Sequence, residues 1–491
     1  MKLSDLLNGV GNFKIKGDQE LDITLVESNS KKVKPGSLFV AIKGFDFDGH
    51  EFVAEAVENG AVAVMLDVSA DLKSIKLPKG ITVILSDDTR VALPKLACNF
   101  FGAPSRHFKL IGVTGTKGKT TTTYMIKSIL EKAGYKVGLI GTIANYIGDE
   151  IISESNRTTP ESLELQGLFY QMARAKVDFV VMEVSSQSLK LHRVDGSNFD
   201  MAVFTNFSKD HISAKEHPDM EDYYLSKQKL FEMAPKGFAN ADDFKCERLI
   251  KSVPNCEIKK YSIDNESELV AKDITVTNSS VDFKVKLGAR NERIKVNIPG
   301  RYSVYNSMAA ISVAVSLGID VEKIKEGLQE IVIPGRNELV PNEKDLTIMI
   351  DYAHTAESLE NMLSSLRAYT QGRIICVFGC GGDRDKTKRP QMGEVSGRLA
   401  DISIVTTDNP RTEKPEDIIA DIEKGIAKTK GNYKVIVDRK EAIKTAVEMA
   451  RRKDIVILAG KGHETYQEIN GEKHHFDERE IVKEILANMK K

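Results

Sequence analysis

The sequence has no long hydrophobic run and no excess of charge of either sign. No stretch of about 18 apolar residues occurs, and no apolar segment follows a basic start, so neither a membrane-spanning helix nor a secretion signal is predicted. The 70 Lys and Arg residues nearly balance the 71 Asp and Glu residues, giving a net charge of −1. Because no overall field attracts nucleic acid, any anionic ligand must be bound by local basic groups and backbone amides.

Cysteine is also scarce, with five among 491 residues. None of the five forms a pair with the spacing of a metal site. Disulfides are rare in reducing compartments, so we expect reduced structural thiols in a cytoplasmic protein. The cysteines are Cys98, Cys246, Cys256, Cys376 and Cys380.

The length predicts two to four domains, and the pattern of elements favours three. Residues 1–105 look like a small mixed domain that ends in a linker rich in Gly, Pro and Ser. Residues 106–333 begin with apolar strands that alternate with helices, which predicts a mostly parallel central sheet flanked by helices. Two alternating segments, "VDFKVKL" and "ERIKVNI" at 281–298, predict a small antiparallel sheet. Residues 334–491 start a fresh, Rossmann-like α/β series, so the fold class is α/β throughout.

A glycine loop follows the first strand of the second domain. The stretch "IGVTGTKGKTTTTYMI" has Gly118, Lys119 and Thr120 in the order of a phosphate loop, but Val113 stands where that pattern has its first glycine. An apolar strand precedes the loop and an amphipathic helix follows it, ending near Gly134. Backbone amides at a helix start favour phosphate. The alternative is a glycine turn before a structural helix.

Two further strands of this domain end in polar residues. One ends at Glu183 in "MEVSSQSLKLHR", and the next leads to His211 in "NFSKDHIS". Because parallel strands place their carboxyl ends at one edge of the sheet, these side chains could share a metal ion. One histidine would be unusual for Mg²⁺, which prefers oxygen ligands, so a structural role for His211 is the alternative.

These stretches together resemble the Mur ligases, the ATP-dependent amino-acid ligases of peptidoglycan synthesis. The similarity runs in order through "TGTKGKTTT", "NRTTPE", "MEVSS", "VFTNFSKDH", "MEDYYLSKQKLF", "GRYSVYNSMAA", "IPGRNE", "DYAHTAESLE", "GCGGDRDKTKRPQMG", "TTDNPRTE" and "AGKGHETYQ". In this family the first glycine of the loop falls at Gly115. The resemblance implies that ATP phosphorylates a substrate carboxylate and that an amine attacks the acyl phosphate.

The resemblance assigns the nucleotide and metal contacts. It implies two Mg²⁺ ions and an ATP site closed between the second and third domains. The ATP contacts implied are Gly115, Thr116, Lys117, Gly118, Lys119, Thr120, Thr121, Asn306, Arg336, Asp351 and His354. The metal ligands implied are Thr120, Glu183, His211 and Lys227, and the catalytic residues are Lys119, Glu183, His211 and Lys227.

Lys227 corresponds to the lysine that the family carbamylates with CO₂. A carbamate would turn its ammonium into an anion that suits a hard metal ion. Without the resemblance, Lys227 in "YLSKQKLF" would be interpreted as a solvated helix lysine.

The carboxylate substrate implied is UDP-MurNAc-L-Ala-D-Glu. Its contacts would be Ser28, Ser30, Phe45, Asp46, Phe47, Thr158, Thr159, Ser185 and Arg193. The sequence departs from the family at Lys31, Gln187 and Leu191, which leaves the details of these contacts open.

The incoming amino acid implied is meso-diaminopimelate, because "DNPR" is the form found in ligases that add it. Arg411 would bind its distal carboxylate, and Asp408 or Glu464 its ammonium. The contacts implied are Arg384, Asp408, Asn409, Pro410, Arg411, Gly460 and Glu464. Lysine or another diamino acid such as lanthionine remains an alternative.

Two functions outside this reaction also remain open. A folylpolyglutamate synthetase shares the core but would not need the first domain or "DNPR". A P-loop ATPase acting as a switch would need Lys119 but would have no use for Lys227, Arg411 or Glu464. We expect a cytoplasmic monomer that acts on small molecules, without nucleic-acid or membrane partners.

Overall fold

The computed structural model describes residues 1–45, 47–70, 75, 77–78, 80–213, 216–344 and 346–489. The chain divides into two compact units. The first contains Met1–Leu269 and Ala309–Lys323, and the second contains Val270–Met308 and Ile324–Lys491. The boundaries at 105 and 333 that the sequence suggests stay a prediction.

The start of the first unit forms a five-stranded sheet. Its strands are β1 (Phe13–Lys16), β2 (Leu25–Glu27), β3 (Ser37–Val40), β4 (Ala61–Asp67) and β5 (Thr82–Ser86). Its helices are α1 (Leu3–Leu6), α2 (Val53–Glu58) and α3 (Thr89–Phe100), with short 3₁₀ turns at Ser30–Lys32, Gly49–Phe52 and Pro104–Arg106. The strand order is β1-β5-β4-β3-β2, and only β1 runs antiparallel to its neighbour. α3 begins where the Asp88 side chain accepts the amides of Arg90 and Val91.

The rest of the first unit is built on a second, larger sheet. Its strands are β6 (Lys109–Thr114), β7 (Val137–Ile140), β8 (Ala144–Ile147), β9 (Glu150–Glu154), β10 (Phe179–Glu183), β11 (Met201–Phe204), β12 (Lys236–Asn240) and β13 (Glu257–Ser262). Its helices are α4 (Lys119–Lys132), α5 (Ser162–Arg174), α6 (Ser186–Lys190), α7 (Met220–Glu232) and α8 (Cys246–Ser252). The order is β13-β12-β11-β6-β10-β7-β8-β9.

The strands from β13 to β7 in this order are parallel, as predicted. Every residue of β7, β10 and β11 is buried, which is typical of a parallel sheet covered on both faces. β8 and β9 extend it with antiparallel pairing, which was not predicted. The carboxyl ends of β6, β10 and β11 lie side by side, so the segments that follow them come together at one edge.

The second unit starts with an antiparallel meander. It consists of β14 (Leu269–Val276), β15 (Val281–Leu287) and β16 (Arg290–Val296), and is followed by α9 (Arg301–Ser316) and α10 (Val321–Gln329). Buried and exposed residues alternate along β15, which confirms the predicted antiparallel strands. The division between the two units falls within β14, α9 and α10.

A six-stranded sheet forms the remainder of the second unit. Its strands are β17 (Glu338–Leu339), β18 (Thr347–Asp351), β19 (Ile374–Phe378), β20 (Ile402–Val405), β21 (Asn432–Val435) and β22 (Ile455–Ala459). The order β17-β18-β22-β19-β20-β21 is parallel except for β17. Helices α11 (Ala356–Arg367), α12 (Lys388–Leu399), α13 (Pro415–Ile426), α14 (Arg439–Met449) and α15 (Glu478–Asn488) accompany it, and β23 (Tyr466–Ile469) and β24 (Glu472–His475) form a separate hairpin.

Two predictions from composition can be compared with this fold. All five cysteines are free and buried, and burial raises the pKa of Cys376 and of Cys380 to about 12. Within the described residues, none of the helices combines the length and apolar character needed to cross a membrane.

Candidate active site

The glycine loop runs from the end of β6 to the start of α4. Gly115 has φ +145° and Gly118 has φ +86°, both conformations that favour glycine. A Cβ on Gly115 would lie 1.9 Å from Thr205 Oγ1, so the backbone must pass close to the end of β11. The loop then places the start of a 14-residue helix, where the first N–H groups have no partner within the helix, at the edge of the sheet.

The segment after β11 holds this loop in place. Thr116 N donates to Asn206 O at 2.9 Å, and Lys117 N donates to the Asn206 side-chain oxygen at 2.9 Å. Thr205 Oγ1 donates to Lys117 O at 2.7 Å. The loop shape is therefore fixed by a neighbouring strand end.

Two lysines meet at one carbonyl of the loop. Lys119 Nζ donates to Gly115 O at 2.9 Å and to Thr116 O at 3.0 Å, and Lys227 Nζ donates to Gly115 O at 2.9 Å. Lys227 is fully buried, and its Nζ lies 4.4 Å from the centre of the Tyr223 ring. Burial, reinforced by the positive charge of Lys119, lowers the pKa of Lys227 well below its usual value. The interpretation of Lys227 as a solvated lysine is wrong.

Thr120 and Glu183 form an oxygen cluster beside the loop. Thr120 Oγ1 donates to Glu183 Oε2 at 3.0 Å, and Thr142 N donates to Glu183 Oε1 at 2.8 Å. Glu183 is buried at the end of β10. A hydroxyl and a carboxylate are the donors that Mg²⁺ prefers, so the pair fits this ion.

His211 makes its described contacts with residues other than Thr120 and Glu183. Its Nδ1 pairs with Glu216 Oε2 at 3.1 Å, and its side chain is partly exposed. Across the described residues, no three His, Cys, Asp or Glu side chains converge as a metal site. A metal ion shared by Glu183 and His211 stays a prediction.

A cavity of about 640 Å³ opens in the first unit beside the loop. The predicted residues that line it are Phe45, Phe47, Lys119, Thr158, Thr159, Ser185, Arg193, His211 and Lys227. Phe45 and Phe47 are exposed aromatic side chains, and their contact with the substrate stays a prediction. Asp46 lies outside the described residues.

Arg193 is the buried cation of this cavity. Its Nη2 pairs with Glu161 at 2.9 Å, and its Nε has no hydrogen-bond partner among the described residues. Burial lowers the pKa of Arg193, although Glu161 opposes this shift. An unpartnered buried donor beside a cavity is suited to an anionic ligand.

Thr159 and Ser185 connect this cavity with Glu183. Thr159 Oγ1 donates to Glu183 O at 2.9 Å and accepts the Ser185 amide at 3.0 Å. Ser28 and Ser30, by contrast, are not among the described residues that line the cavity. The Ser30 hydroxyl donates to Glu55 at 2.5 Å.

The sequence reasoning missed three basic residues of the cavity: Arg90, Arg157 and His217. Arg157 belongs to "NRTTPE", so its position in that stretch was an available signal. His217 is fully buried, with Nε2 2.9 Å from Ser186 Oγ and Nδ1 2.6 Å from Asp222. Its segment has no clear periodicity, and nothing in the sequence indicated its burial.

The second unit brings together three of the predicted nucleotide contacts. Asp351, buried at the end of β18, accepts the amides of Asn337 and Ala353 at 2.8 and 2.9 Å. Burial raises the pKa of Asp351, although the nearby Arg336 opposes this shift. The Tyr352 ring lies 5.1 Å from the Arg336 guanidinium carbon and 4.6 Å from the His354 ring. Asn306 is buried on α9.

The predicted amino-acid contacts lie near the ends of β20 and β22. Asn409 donates to Glu464 Oε2 at 2.8 Å, and the buried Lys461 donates to Asn409 Oδ1 at 3.0 Å. Burial alone would raise the pKa of Asp408, but the charges of Lys461 and Arg439 outweigh it and hold this pKa below its usual value. A Cβ on Gly460 would lie 2.7 Å from Asp408 Oδ2, so Gly460 gives that carboxylate its space.

Arg411 and its neighbours form the other side of this cluster. Arg411 has φ +52°, and its Nη1 donates to Gly382 O at 2.9 Å. A Cβ on Gly382 would lie 1.9 Å from Pro410 O, so these two loops are in close contact. Arg384 follows in the same loop and is exposed.

Comparison with known proteins agrees with this arrangement. Three family models match: "Mur ligase family, catalytic domain" at residues 22–100, "Mur ligase middle domain" at residues 113–314 and "Mur ligase, glutamate ligase domain" at residues 335–462. A UDP-N-acetylmuramoyl-L-alanyl-D-glutamate--2,6-diaminopimelate ligase of Caldanaerobacter subterraneus subsp. tengcongensis is 50% identical, with 100% of both chains covered. The ligase of the same name from Clostridium perfringens is 46% identical, with 99% of both covered.

A solved structure of a ligase with this name is 28% identical and covers 100% of both chains, with a TM-score of 0.71. The matches extend over both units and over the loop, the cavity and the Asp408 cluster. The chain therefore belongs to the Mur ligase family.

Proposed function

We propose that this ATP-dependent ligase joins meso-diaminopimelate to the D-glutamate of UDP-MurNAc-L-Ala-D-Glu. Two relatives that carry this activity in their names are 46–50% identical and cover 99–100% of the chain. The observation that carries the proposal is the meeting of Lys119 and Lys227 at Gly115 O, in a cavity that also contains Arg193. The residues that would bind the phosphates, the metal ion and an anionic substrate therefore lie close together.

The loop and α4 would hold the ATP phosphates. ATP supplies the phosphoryl group that activates the glutamyl carboxylate. The first-turn amides of α4 and the Lys119 ammonium would attract the phosphates. Thr120 and Glu183 would hold Mg²⁺, with His211 as the expected partner for a second ion. Asn306, Arg336, Asp351 and His354 would contact the rest of the nucleotide.

Lys227 would act as a carbamate. Burial lowers the pKa of Lys227 well below its usual value, which favours the neutral amine, the form that attacks CO₂. The nitrogen bonds to carbon, one proton is released, and the product is an anion. Such an anion would pair with the Lys119 ammonium and add oxygen donors beside Thr120 and Glu183.

The first unit would bind the nucleotide-sugar dipeptide. Arg193 presents its buried guanidinium to an anionic part of the substrate, and Thr158, Thr159 and Ser185 offer hydroxyls around it. Phe45 and Phe47 would cover an apolar or aromatic part. We assign this binding mainly to a domain of residues 1–105 together with the central domain of residues 106–333.

The domain of residues 334–491 would bind the amino acid. Arg411 matches a distal carboxylate, which lysine does not have. Asp408 and Glu464 offer carboxylates to an ammonium, and Asn409 is held between Glu464 and Lys461. We further propose that the protein works as a cytoplasmic monomer. Light scattering of the purified protein at the mass of one 54.4 kDa chain would support the monomer, and a larger mass would contradict it.

One assay tests the reaction and the substrate. The purified protein receives ATP, Mg²⁺, UDP-MurNAc-L-Ala-D-Glu and either diaminopimelate, lysine or lanthionine, and mass spectrometry identifies the product. We expect an amide adduct that forms fastest with diaminopimelate. Hydrolysis of ATP without a new amide would favour a P-loop switch. If the lysine or lanthionine adduct forms faster, that amino acid would replace diaminopimelate as the assigned substrate.

A further inference from the structure

Arg411 is paired with a carboxylate that does not belong to the Asp408 cluster. Its Nε lies 3.0 Å from Glu468 Oε2. Glu468 is on β23, the first strand of the hairpin formed by β23 and β24. A positive and a negative side chain therefore stand next to each other where the amino acid is expected to bind.

The backbone fixes the two residues relative to each other. Arg411 N donates to Glu468 O at 3.0 Å, and Asn470 N donates to Arg411 O at 2.8 Å. Glu468 N also donates to Asn409 Oδ1 at 3.0 Å. These bonds hold Arg411 at φ +52°, a conformation that is uncommon for a residue with a side chain. Backbone hydrogen bonds therefore fix the positions of both residues, which is not the case for a chance contact between two surface side chains.

Each partner keeps hydrogen-bonding capacity for a ligand. In the part of the chain that the structure describes, Arg411 uses Nε and Nη1, and no bond to its Nη2 is formed. Glu468 uses Oε2, and no donor reaches its Oε1. The two side chains are 21% and 27% exposed, so solvent and small molecules can reach them.

The other carboxylates of the site have less capacity for a cation. Glu464 Oε2 already accepts Asn409 at 2.8 Å and Lys461 at 3.2 Å. Asp408 is buried near the charges of Lys461 and Arg439. Glu468, by comparison, has a single described cation, Arg411.

We propose that Glu468 is a further specificity-determining residue, which adds to Asp408 and Glu464 as an acceptor of the distal ammonium of the amino acid while Arg411 binds the distal carboxylate. This inference rests on the proposed function. The two charges at the distal end of diaminopimelate are attached to one carbon atom, and the adjacent, opposite charges of Arg411 and Glu468 complement them. Lysine lacks the carboxylate of this pair, and 2-aminopimelate lacks the ammonium.

The alternative is that Glu468 merely orients Arg411, and two substrates separate these roles. Glu468→Gln keeps the shape and an acceptor for Arg411 but removes the charge. We expect the KM for diaminopimelate to rise about tenfold, as for the loss of one charge-assisted hydrogen bond. The inhibition constant of L-2-aminopimelate should stay the same or fall, because an anion near its carboxylate is removed. An equal rise in both constants would overturn the proposal.

A double variant tests the same point with diaminopimelate alone. If Glu468 acts only through Arg411, then Glu468→Gln has no effect once Arg411→Ala is present, and the proposal fails. If Glu468 binds the ammonium itself, the substitution still raises the KM several-fold in that background. Glu472→Gln, on the exposed second strand of the hairpin, is the matched control and should leave both constants unchanged.

The product formed by the wild-type protein distinguishes a failure of this inference from a failure of the proposed function. Absence of a diaminopimelate adduct from the wild-type protein would remove the proposed function. An adduct from the wild-type protein, together with equal effects of Glu468→Gln on both ligands, would remove only the role of Glu468.

Discussion

Lys119 and Lys227 donate to the same carbonyl oxygen, that of Gly115, each at 2.9 Å. Two ammonium groups at one acceptor would repel each other, and Lys227 is fully buried. The arrangement is relieved if the buried amine is neutral or carries an anionic group. The following predictions start from this relationship.

Lys227→Ala should reduce kcat by about 10²–10³-fold, the size of effect seen when one preorganised electrostatic group is removed. Added formate or acetate should restore part of the activity, because a short carboxylate can replace the carbamate. The measurement is the rate of adduct formation with and without the carboxylate. Lys229→Ala, on the same helix, is the control and should keep full activity. Full activity of Lys227→Ala would remove the carbamate hypothesis.

Lys227→Met should change how stability depends on pH. In the unfolded chain the lysine titrates near 10.5, whereas burial lowers its pKa in the folded protein. Between its pKa in the folded protein and pH 10.5, the unfolded state therefore binds the extra proton, and the contribution of Lys227 to the free energy of unfolding rises with pH. The Met variant has no lysine to deprotonate on folding, so it should be the more stable protein at pH 7.

The advantage of the Met variant should shrink by about 1–3 kcal/mol between pH 7 and pH 9, since one pKa unit corresponds to about 1.4 kcal/mol. Urea unfolding in carbonate-free buffer measures the difference at each pH. A difference that does not change with pH would show that Lys227 is charged in the folded protein.

Gly115→Ala should destabilise the loop more than a glycine replacement in open space. The new Cβ would meet Thr205 Oγ1 at 1.9 Å, whereas a Cβ on Gly134 meets nothing within 4 Å. Gly134→Ala should cost about 1–2 kcal/mol for its positive φ alone. Gly115→Ala should cost a further 1–3 kcal/mol or so from overpacking, and should weaken ATP binding. Equal losses in urea unfolding would contradict the close contact with Thr205.

Arg411→Ala should raise the KM for diaminopimelate by about 100-fold, as expected for loss of a bidentate charge-assisted contact, and should change the KM for ATP less than about threefold. Steady-state kinetics with each substrate varied in turn gives both constants. Arg398→Ala, which removes an exposed arginine paired with Glu360, is the control. Similar increases for both substrates would mean that Arg411 supports the fold and does not bind the amino acid.

Much of the α/β framework could be predicted because periodicity and glycine positions are local signals. The helix after the loop ends at Lys132 and is followed by Gly134 at φ +90°, as the pattern indicated. β8 and β9 were missed because antiparallel strands that extend a parallel sheet have no distinctive pattern of their own. The role of Asn206 was missed because it depends on which strands are neighbours.

The sequence contained a signal for the burial of Lys227, but the charge of the lysine favoured the interpretation of an exposed residue. Tyr223 and Leu230 are four residues before it and three after it, so all three share one face of α7. The other extreme is Arg411, whose positive φ and pairing with Glu468 depend on a hairpin more than 50 residues away along the chain. Local pattern could not predict that contact.

The hairpin of β23 and β24 is separate from the six-stranded sheet among the described residues, and an isolated bridge joins its residue Ile469 to Arg411. Side chains on it can therefore be exchanged with little effect on the hydrophobic core. If selectivity for the amino acid is partly encoded there, it can be altered independently of the phosphate chemistry. The hairpin is then a natural target for laboratory evolution of ligases that accept new diamino acids.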